Sequence, residues 1–433
     1  MAEPRPAGEC HVYPQSAAWF AVASLAALYI ISIVDRIIFV ILADRISVSL
    51  ALSDAQMGLI LGLAFAVVYS LAGLPLAHWL DTRPRKLLVA GGVVFWGGMT
   101  LLSSFANDFW TLLLCRSGLA FGEAVLTPAA ISLIGDMFSK ERRTLPTSIY
   151  ASIGGIFGTG AFTIGAVVVA IAASLAITTG WEVWRTALII LSAPTIMMGV
   201  FFYLTVKEPP RQTGRAGTTT AGMREFLQFL SRNRTFYFPF YAGFGLVCCF
   251  NYGLVSWVPT IFLREYDVDP TESSFVFGLL GIVGGGIGAL IVPQIAMRIE
   301  RRWPGKGITA TLFLLSVFLA PVATLMPMTN SALMLYACAF FSVLFSSTWF
   351  VLGALAIQFY AAGAYTARLM ALYLLASSLF GLSLGPVALI AFAEGWDWGE
   401  RPLSHGLAVL GFCTIPVAIA MQALAHRARS QVT

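Results

Sequence analysis

Charged side chains are scarce in this sequence. Asp, Glu, Lys and Arg make up 11% of the 433 residues, where a soluble domain carries roughly a quarter. That shortage excludes a chain that coats its own surface with charge. With 58% hydrophobic residues and a mean hydropathy of +0.83, the composition is that of an integral membrane protein. Histidine is rarer still: His11, His78, His405 and His426 are far apart and share no metal-ligand spacing. The six cysteines, Cys10, Cys115, Cys248, Cys249, Cys338 and Cys413, are scattered, and five of them fall in apolar stretches. Neither a metal site nor a disulfide framework is expected, and they read as small buried hydrophobes. There is no Walker-type phosphate loop and no nucleophile elbow, which argues against ATP hydrolysis and against an enzyme. No cofactor and no metal are expected. The opening MAEPRPAGECHVYPQ is polar and Pro-rich, without a hydrophobic signal core, so the first apolar span is expected to act as its own insertion signal.

Long apolar runs are abundant. A helix needs about twenty apolar residues to cross a hydrocarbon core of roughly 30 Å, and twelve runs of that length occur, from 17–43 to 403–425. The expected fold is all-α, with twelve transmembrane helices in two six-helix bundles. The longest connection, between the sixth and seventh runs, extends from Lys207 to Arg234 and holds Pro209, Pro210 and the Gly- and Thr-rich stretch Gly214 to Gly222. It sets the expected divisions: a tail 1–16, a bundle 17–206, a linker 207–235, a bundle 236–426 and a tail 427–433. Counted from a cytoplasmic N-terminus, 20 of the 26 Lys and Arg residues fall inside, against Arg45, Arg185, Arg264 and Arg401 outside. Both termini are therefore expected in the cytoplasm, with the protein in the cell (inner or plasma) membrane. The net charge of +5 and pI near 8.9 follow from this sidedness and require no nucleic-acid partner.

A few charges lie inside the spans, where each costs roughly 2.5–3.5 kcal/mol if it faces lipid and so belongs in an interior or a watery cavity. Arg116 and Glu123 are seven residues apart in span four, hence within about 20° on one helix face but about 10.5 Å apart along the axis. Each needs another partner. Span one carries Asp35 and Arg36, which diverge by about 100° as helix neighbours. The simplest assignment points Asp35 into the central cavity toward span four and leaves Arg36 for a neighbouring helix or the outer gate. Asp35 and Glu123 are then two acids near one arginine. A carboxylate held between burial and an arginine can change protonation when a cavity opens, so these two are the candidate proton-coupling residues. A permanent ion-pair cluster holding spans one and four together is the plainer alternative. Arg116 presents a fixed fork of donors suited to phosphate or carboxylate, which makes it the candidate headgroup contact. The second half has almost no intramembrane charge and offers Phe250, Asn251, Tyr252, Trp257, Trp349, Phe350, Gln358, Tyr373 and Phe380 instead. Asn251 and Tyr252 are its candidate binding residues, although most such aromatics pack rather than bind.

Between spans two and three the chain reads Ala77-His78-Trp79-Leu80-Asp81-Thr82-Arg83-Pro84-Arg85-Lys86. This resembles the loop pattern of the major facilitator superfamily; Asp81, Arg85 and Lys86 match, while Ala77 replaces a glycine and Thr82 an arginine. An aspartate at a helix end meeting basic side chains would make a latch that forms in one conformation and breaks in another. Asp35-Arg36, Leu52 to Gly58, Arg116 to Glu123 with Ala124 and Pro128-Ala129-Ala130, and Ser132 to Phe138 are together similar to the spinster family of lipid transporters, whose members move lysophospholipids and sphingosine phosphates. Within Leu52 to Gly58, Ser53 and Gln56 have capping-box spacing. The resemblance implies parallel-repeat bundles that rock around a central site, with gating by Arg36, Asp81, Arg85 and Lys86. It also implies a secondary active transporter of an amphipathic organic anion, lysophospholipid- or sphingolipid-like and proton-coupled. The partners are then that anion, protons and the lipid bilayer, with the chain a monomer. A transporter of small organic acids and a passive lipid scramblase or uniporter with a structural charge cluster are the alternatives. Glycine rows in spans five, eight and eleven, among them Gly154, Gly160, Gly165, Gly278, Gly281, Gly381 and Gly385, are expected to permit close packing and bending.

Overall fold

Where the apolar runs are longest, the chain forms helices long enough to cross a bilayer. The structure, a computed structural model, describes residues 14–138, 142, 144–211, 223–303, 307–360 and 365–429. Twelve such helices occur among them: α1 (Gln15–Ile41), α2 (Asp54–Ala72), α3 (Arg85–Ser103), α4 (Phe109–Met137), α5 (Ile156–Thr179), α6 (Val183–Thr205), α7 (Arg234–Tyr266), α8 (Pro270–Arg302), α9 (Gly307–Met328), α10 (Ala332–Ile357), α11 (Arg368–Glu394) and α12 (Pro402–Ala428). No strand occurs among the described residues. Large apolar side chains such as Trp110, Leu114, Met197, Phe238 and Phe412 stand exposed on the outside. In water so large an apolar surface would drive association, whereas a bilayer covers it without cost.

Twelve crossings put the start of α1, the end of α6 and the end of α12 on one face, here termed the linker face; the other is the distal face. A short linker helix, Met223–Arg232, precedes α7. Helix starts on the distal face follow local sequence. Before α2, Ser53 Oγ accepts from the Gln56 amide at 3.2 Å while Gln56 Oε1 accepts from the Ser53 amide at 2.9 Å, the reciprocal capping box its spacing implied. Asp108 caps α4, accepting from the Thr111 amide at 3.0 Å and the Thr111 hydroxyl at 2.6 Å. Those bonds hold the Asp108 carboxyl below the usual carboxylate range. Asp269 caps α8 through the Thr271 amide at 2.7 Å, with Pro270 following it.

The halves meet along α2, α5, α8 and α11. In the distal part of this seam Thr163 Oγ1 donates to the Phe275 carbonyl at 3.2 Å, and Gly281 lies against Thr159. At Gly62 a Cβ atom would stand 2.7 Å from the Leu382 carbonyl oxygen, so only glycine lets α2 and α11 come this close. Three seam helices contain π-helical turns: Leu59–Leu63 in α2, Ile287–Ile291 in α8 and Ser377–Leu384 in α11. Such turns break the i→i−4 ladder and mark places where a helix bends. The glycine rows divide between two tasks. Gly160, Gly278 and Gly281 face across the seam, but Gly154 and Gly165 pack on α1, and Gly381 and Gly385 pack on α7 within the second half. A bulky residue at position 62 should hold the distal ends apart. In Gly62→Leu, the spin-label distance between the distal ends of α2 and α11 is expected to lengthen; an unchanged distance would show that closure does not depend on this contact.

Candidate functional site

Helix α4 is interrupted at its middle. Pro128 has no N–H for the carbonyl of Ala124, and regular helix stops at Glu123 and resumes at Leu126. Glu123, on the last turn before this break, is 1% exposed. Its Oε2 accepts from Arg36 Nε at 2.6 Å, and Oε1 is buried with no hydrogen-bond partner. Arg36 Nη2 also donates to Ser32 Oγ at 3.4 Å, and the guanidinium lies over Phe65 and Tyr69 of the α2 region at 4.7 and 5.2 Å. With its side chain 29% exposed, Arg36 has appreciable access, whereas Asp35, Arg116 and Glu123 are buried. Arg116 is buried and stacks on Phe39 and Phe65 at 4.5 and 5.1 Å. Its two terminal nitrogens reach the carbonyls of Asp35 and Arg36 at 3.5 Å each, and its Nε has no partner. Glu123 and Arg116 thus do meet a third residue from α1.

That residue is Arg36 and not Asp35, contrary to the sequence expectation. Asp35 is turned away from α4 and fully buried among α3 and α6, accepting from Trp96 Nε1 at 3.1 Å, Thr100 Oγ1 at 3.2 Å and Thr195 Oγ1 at 3.4 Å. The 100° divergence of helix neighbours allows only one of the pair to face α4, and the donors waiting on α3 and α6 select the carboxylate. Across from the cluster, Tyr252 of α7 is within coulombic range of Arg36, and Asn251 Oδ1 is buried without a partner. The structure therefore brings Tyr252 toward the first-half charges. Other second-half aromatics pack on one another: Phe244 stacks on Tyr373 at 4.0 Å, Tyr373 donates to the Trp349 carbonyl at 2.8 Å, and Trp257 donates to the Pro386 carbonyl at 3.1 Å. The side chain of Gln358 lies outside the described residues.

On the linker face the loop motif joins the first half to itself. Arg85, nearly buried, donates to Asp136 at the end of α4, to Ser132 Oγ at 3.1 Å, to Glu208 at 2.9 Å and to the Pro209 carbonyl at 3.1 Å. Glu208 also accepts from the Lys86 amide at 2.7 Å, capping α3, while Lys86 Nζ lies over Tyr203. The side chain of Asp81 lies outside the described residues, and the acids shown to hold Arg85 are Asp136 and Glu208. The distal face carries contacts that sequence reading missed. Arg264, at the end of α7, donates to Asp44 at 2.9 Å and to Asp54 at 2.6 and 3.0 Å, and Arg45 lies 3.7 Å from Asp269. All three pairs cross between the halves. More than two hundred residues separate Arg264 from either acid; the available signal was one of four arginines expected on the outer face, set beside acidic residues.

Residues 25–386 match the family model of the Major Facilitator Superfamily. The chain belongs to that superfamily. It is accordingly a membrane transporter and not an enzyme. Over 398 residues it is 27% identical to an MFS-type efflux pump of Mycolicibacterium smegmatis, covering 91% of this chain and 89% of that one. It is 28% identical over 310 residues to protein spinster homolog 3 of Danio rerio, covering 67% of this chain and 59% of the relative's length. In three dimensions it resembles the crystal structure of a bacterial homolog to the human lysosomal transporter spinster, in an inward-facing and unoccupied conformation. The TM-score is 0.81 at 22% identity, covering 96% of this chain and 98% of the other. The superfamily's twelve-helix fold and the spinster resemblance both hold.

The two α1 charges should separate experimentally. Replacing Asp35 by Leu strands the buried Trp96 indole N–H, at roughly 1–3 kcal/mol for a donor left unsatisfied, while the Thr100 and Thr195 hydroxyls keep the carbonyls of Trp96 and Leu191. Asp35→Leu should therefore melt well below the parent, whereas Asp35→Asn, which keeps an acceptor, should lose much less; equal losses would show that the donors do not depend on this side chain.

Proposed function

We propose that this transporter moves an amphipathic organic anion, of lysophospholipid or sphingolipid type, by alternating access coupled to protons. The observation that carries the reading is the Arg36–Glu123 ion pair beside Arg116, opposite a second half that offers Tyr252 and Asn251 but almost no charge. An anionic headgroup needs the arginines, and an apolar tail needs the uncharged wall. Proton coupling follows from competition for Arg36. When Glu123 is ionised it occupies Arg36; when it takes a proton it releases Arg36 to a phosphate or carboxylate. Loss of the proton returns Arg36 to Glu123 and expels the anion. Asp35, fully satisfied by neutral donors, positions α1 in this scheme, and Glu123 carries the exchanged proton. Arg116 contributes its unpaired Nε and fixed charge to the same headgroup.

On the distal face Arg264 meets Asp44 and Asp54 across the two halves. We assign that cluster as the distal gate and the Arg85 cluster as the brace that moves the first half as one body. With the linker face in the cytoplasm, as the Lys and Arg distribution argues, the site is approached from the cytoplasm and the gate closes the outer side. The relative matched over nearly the whole chain is named an efflux pump, which favours outward movement of an amphiphile as a second reading of the same site. Competition between a lysolipid and a cationic or neutral amphiphilic drug separates the two.

Reconstituted into vesicles, the parent should accumulate labelled lysolipid in response to a pH gradient. Glu123→Gln should abolish gradient-driven accumulation while leaving binding, and Asp35→Asn should retain both if it folds. Arg116→Ala should weaken anion binding roughly ten- to a hundredfold, the worth of a charge-assisted hydrogen bond. Gradient-driven uptake by Glu123→Gln at the parent's rate would refute the coupling role. For the gate, Arg264→Gln should raise thiol labelling from the outer side at a cysteine placed beside Tyr252; labelling equal to the parent would remove Arg264 from gating.

A further inference from the structure

The linker helix lies against the start of α7 with its apolar side inward. Phe226 is buried, and the Phe229 ring lies 5.8 Å from that of Tyr237 and 4.7 Å from that of Tyr365. Arg224, Gln228, Ser231 and Arg232 remain exposed. Beside this contact runs a groove of about 750 Å³, within the roughly 300–1,000 Å³ typical of ligand sites. Leu227 and Leu230 of the linker helix, Phe238 and Leu246 of α7, Leu372 of α11 and Val417 of α12 form its apolar walls. The groove is confined to the linker helix and the second half, apart from the Arg36 and Glu123 cluster. Phe380 of α11 also lines this groove.

Polar groups gather where the linker helix passes into α7. Ser231 and Arg234 line the groove there, both exposed, and no carboxylate lines it among the described residues. Tyr237 also lines it; the residue is fully buried, and its hydroxyl has no hydrogen-bond partner. A buried hydroxyl left unpaired is costly, and the residue that carries this one lines an apolar groove at the end of a membrane span. An arginine there keeps its charge at the headgroup level while its stem stays apolar, and basic pockets between spans at such a level attract anionic headgroups.

We propose that the groove holds an anionic diacyl phospholipid drawn from the surrounding bilayer. Its acyl chains lie along Leu230, Leu246 and Val417, and its phosphate rests against Arg234 and Ser231. The Tyr237 hydroxyl donates to a phosphate or ester oxygen. Such a lipid fastens the linker helix to the second half, so that the linker follows α7 when the halves rock.

The test uses the full chain, purified in mild detergent, with palmitoyl-oleoyl phosphatidylglycerol and the matching phosphatidylcholine as probes, bound lipid being counted by native mass spectrometry. Phosphatidylglycerol should be retained at one per chain and phosphatidylcholine largely lost. Tyr237→Phe should weaken retention roughly two- to tenfold, the worth of one hydrogen bond, and Arg234→Gln should erase the headgroup preference. Ala242→Trp, which fills the groove, should remove the bound lipid; Leu246→Phe serves the same end if the first variant does not fold. Equal retention of the two lipids, or unchanged retention in both filled variants, overturns the proposal. So does displacement of the phosphatidylglycerol by lysophosphatidylglycerol together with loss of lysolipid transport in the filled variants, since the groove would then be a route for cargo.

Discussion

A salt bridge in a medium that cannot solvate its separated charges is the constraint on which this structure turns. Removing one partner of a buried pair leaves the other exposed to a desolvation cost of about 3–5 kcal/mol. Glu123, with Oε2 on Arg36 and Oε1 unsatisfied, is therefore held only as long as Arg36 or a proton is available to it. That dependence links α1 to α4 and makes the link exchangeable. A site composed of neutral hydrogen bonds, like the one around Asp35, lacks this property: its three donors fix α1 against α3 and α6.

The same contrast between fixed and exchangeable contacts recurs at the two faces. Around Arg85 a nearly buried guanidinium is shared by α3, the end of α4 and the start of the linker, all within one half, so it stiffens that half. Arg264 meets Asp44 and Asp54 at partly exposed positions across the halves. Water and salt screen such pairs, so each is weak and readily exchanged. Glycine complements this division. At Gly62 and Gly281 the absence of a side chain lets backbones touch across the seam, and close packing there needs no charge to be buried.

Much of the architecture was legible from residue order. Twelve apolar runs, a Pro- and Gly-rich break after the sixth and the capping box at Ser53 each express a local rule: length against bilayer thickness, backbone permissiveness, and a side chain reaching three residues along. The membership of the central cluster was legible in part. Arg116 and Glu123 were marked by charge in an apolar run, yet their partner was misassigned, because the sequence shows that Asp35 and Arg36 diverge without showing which neighbour awaits each. The donors that decided it, Trp96, Thr100 and Thr195, are ordinary residues of α3 and α6 with no motif of their own. The second-half aromatics other than Tyr252 were expected mostly to pack, and Trp257, Trp349 and Tyr373 do so.

By itself the sequence determined the class of protein, the number of crossings and the short list of buried charges. These depend on composition and on periodicities within one helix. Tertiary structure alone decided that Arg36 takes Glu123, that Arg264 meets Asp44 and Asp54 on the distal face, that Asp136 and Glu208 hold Arg85, and that a groove forms beside the linker helix. Each of these joins residues tens to hundreds of positions apart, and the energy of such a contact depends on the angle at which two helices pack, which no stretch of one helix encodes.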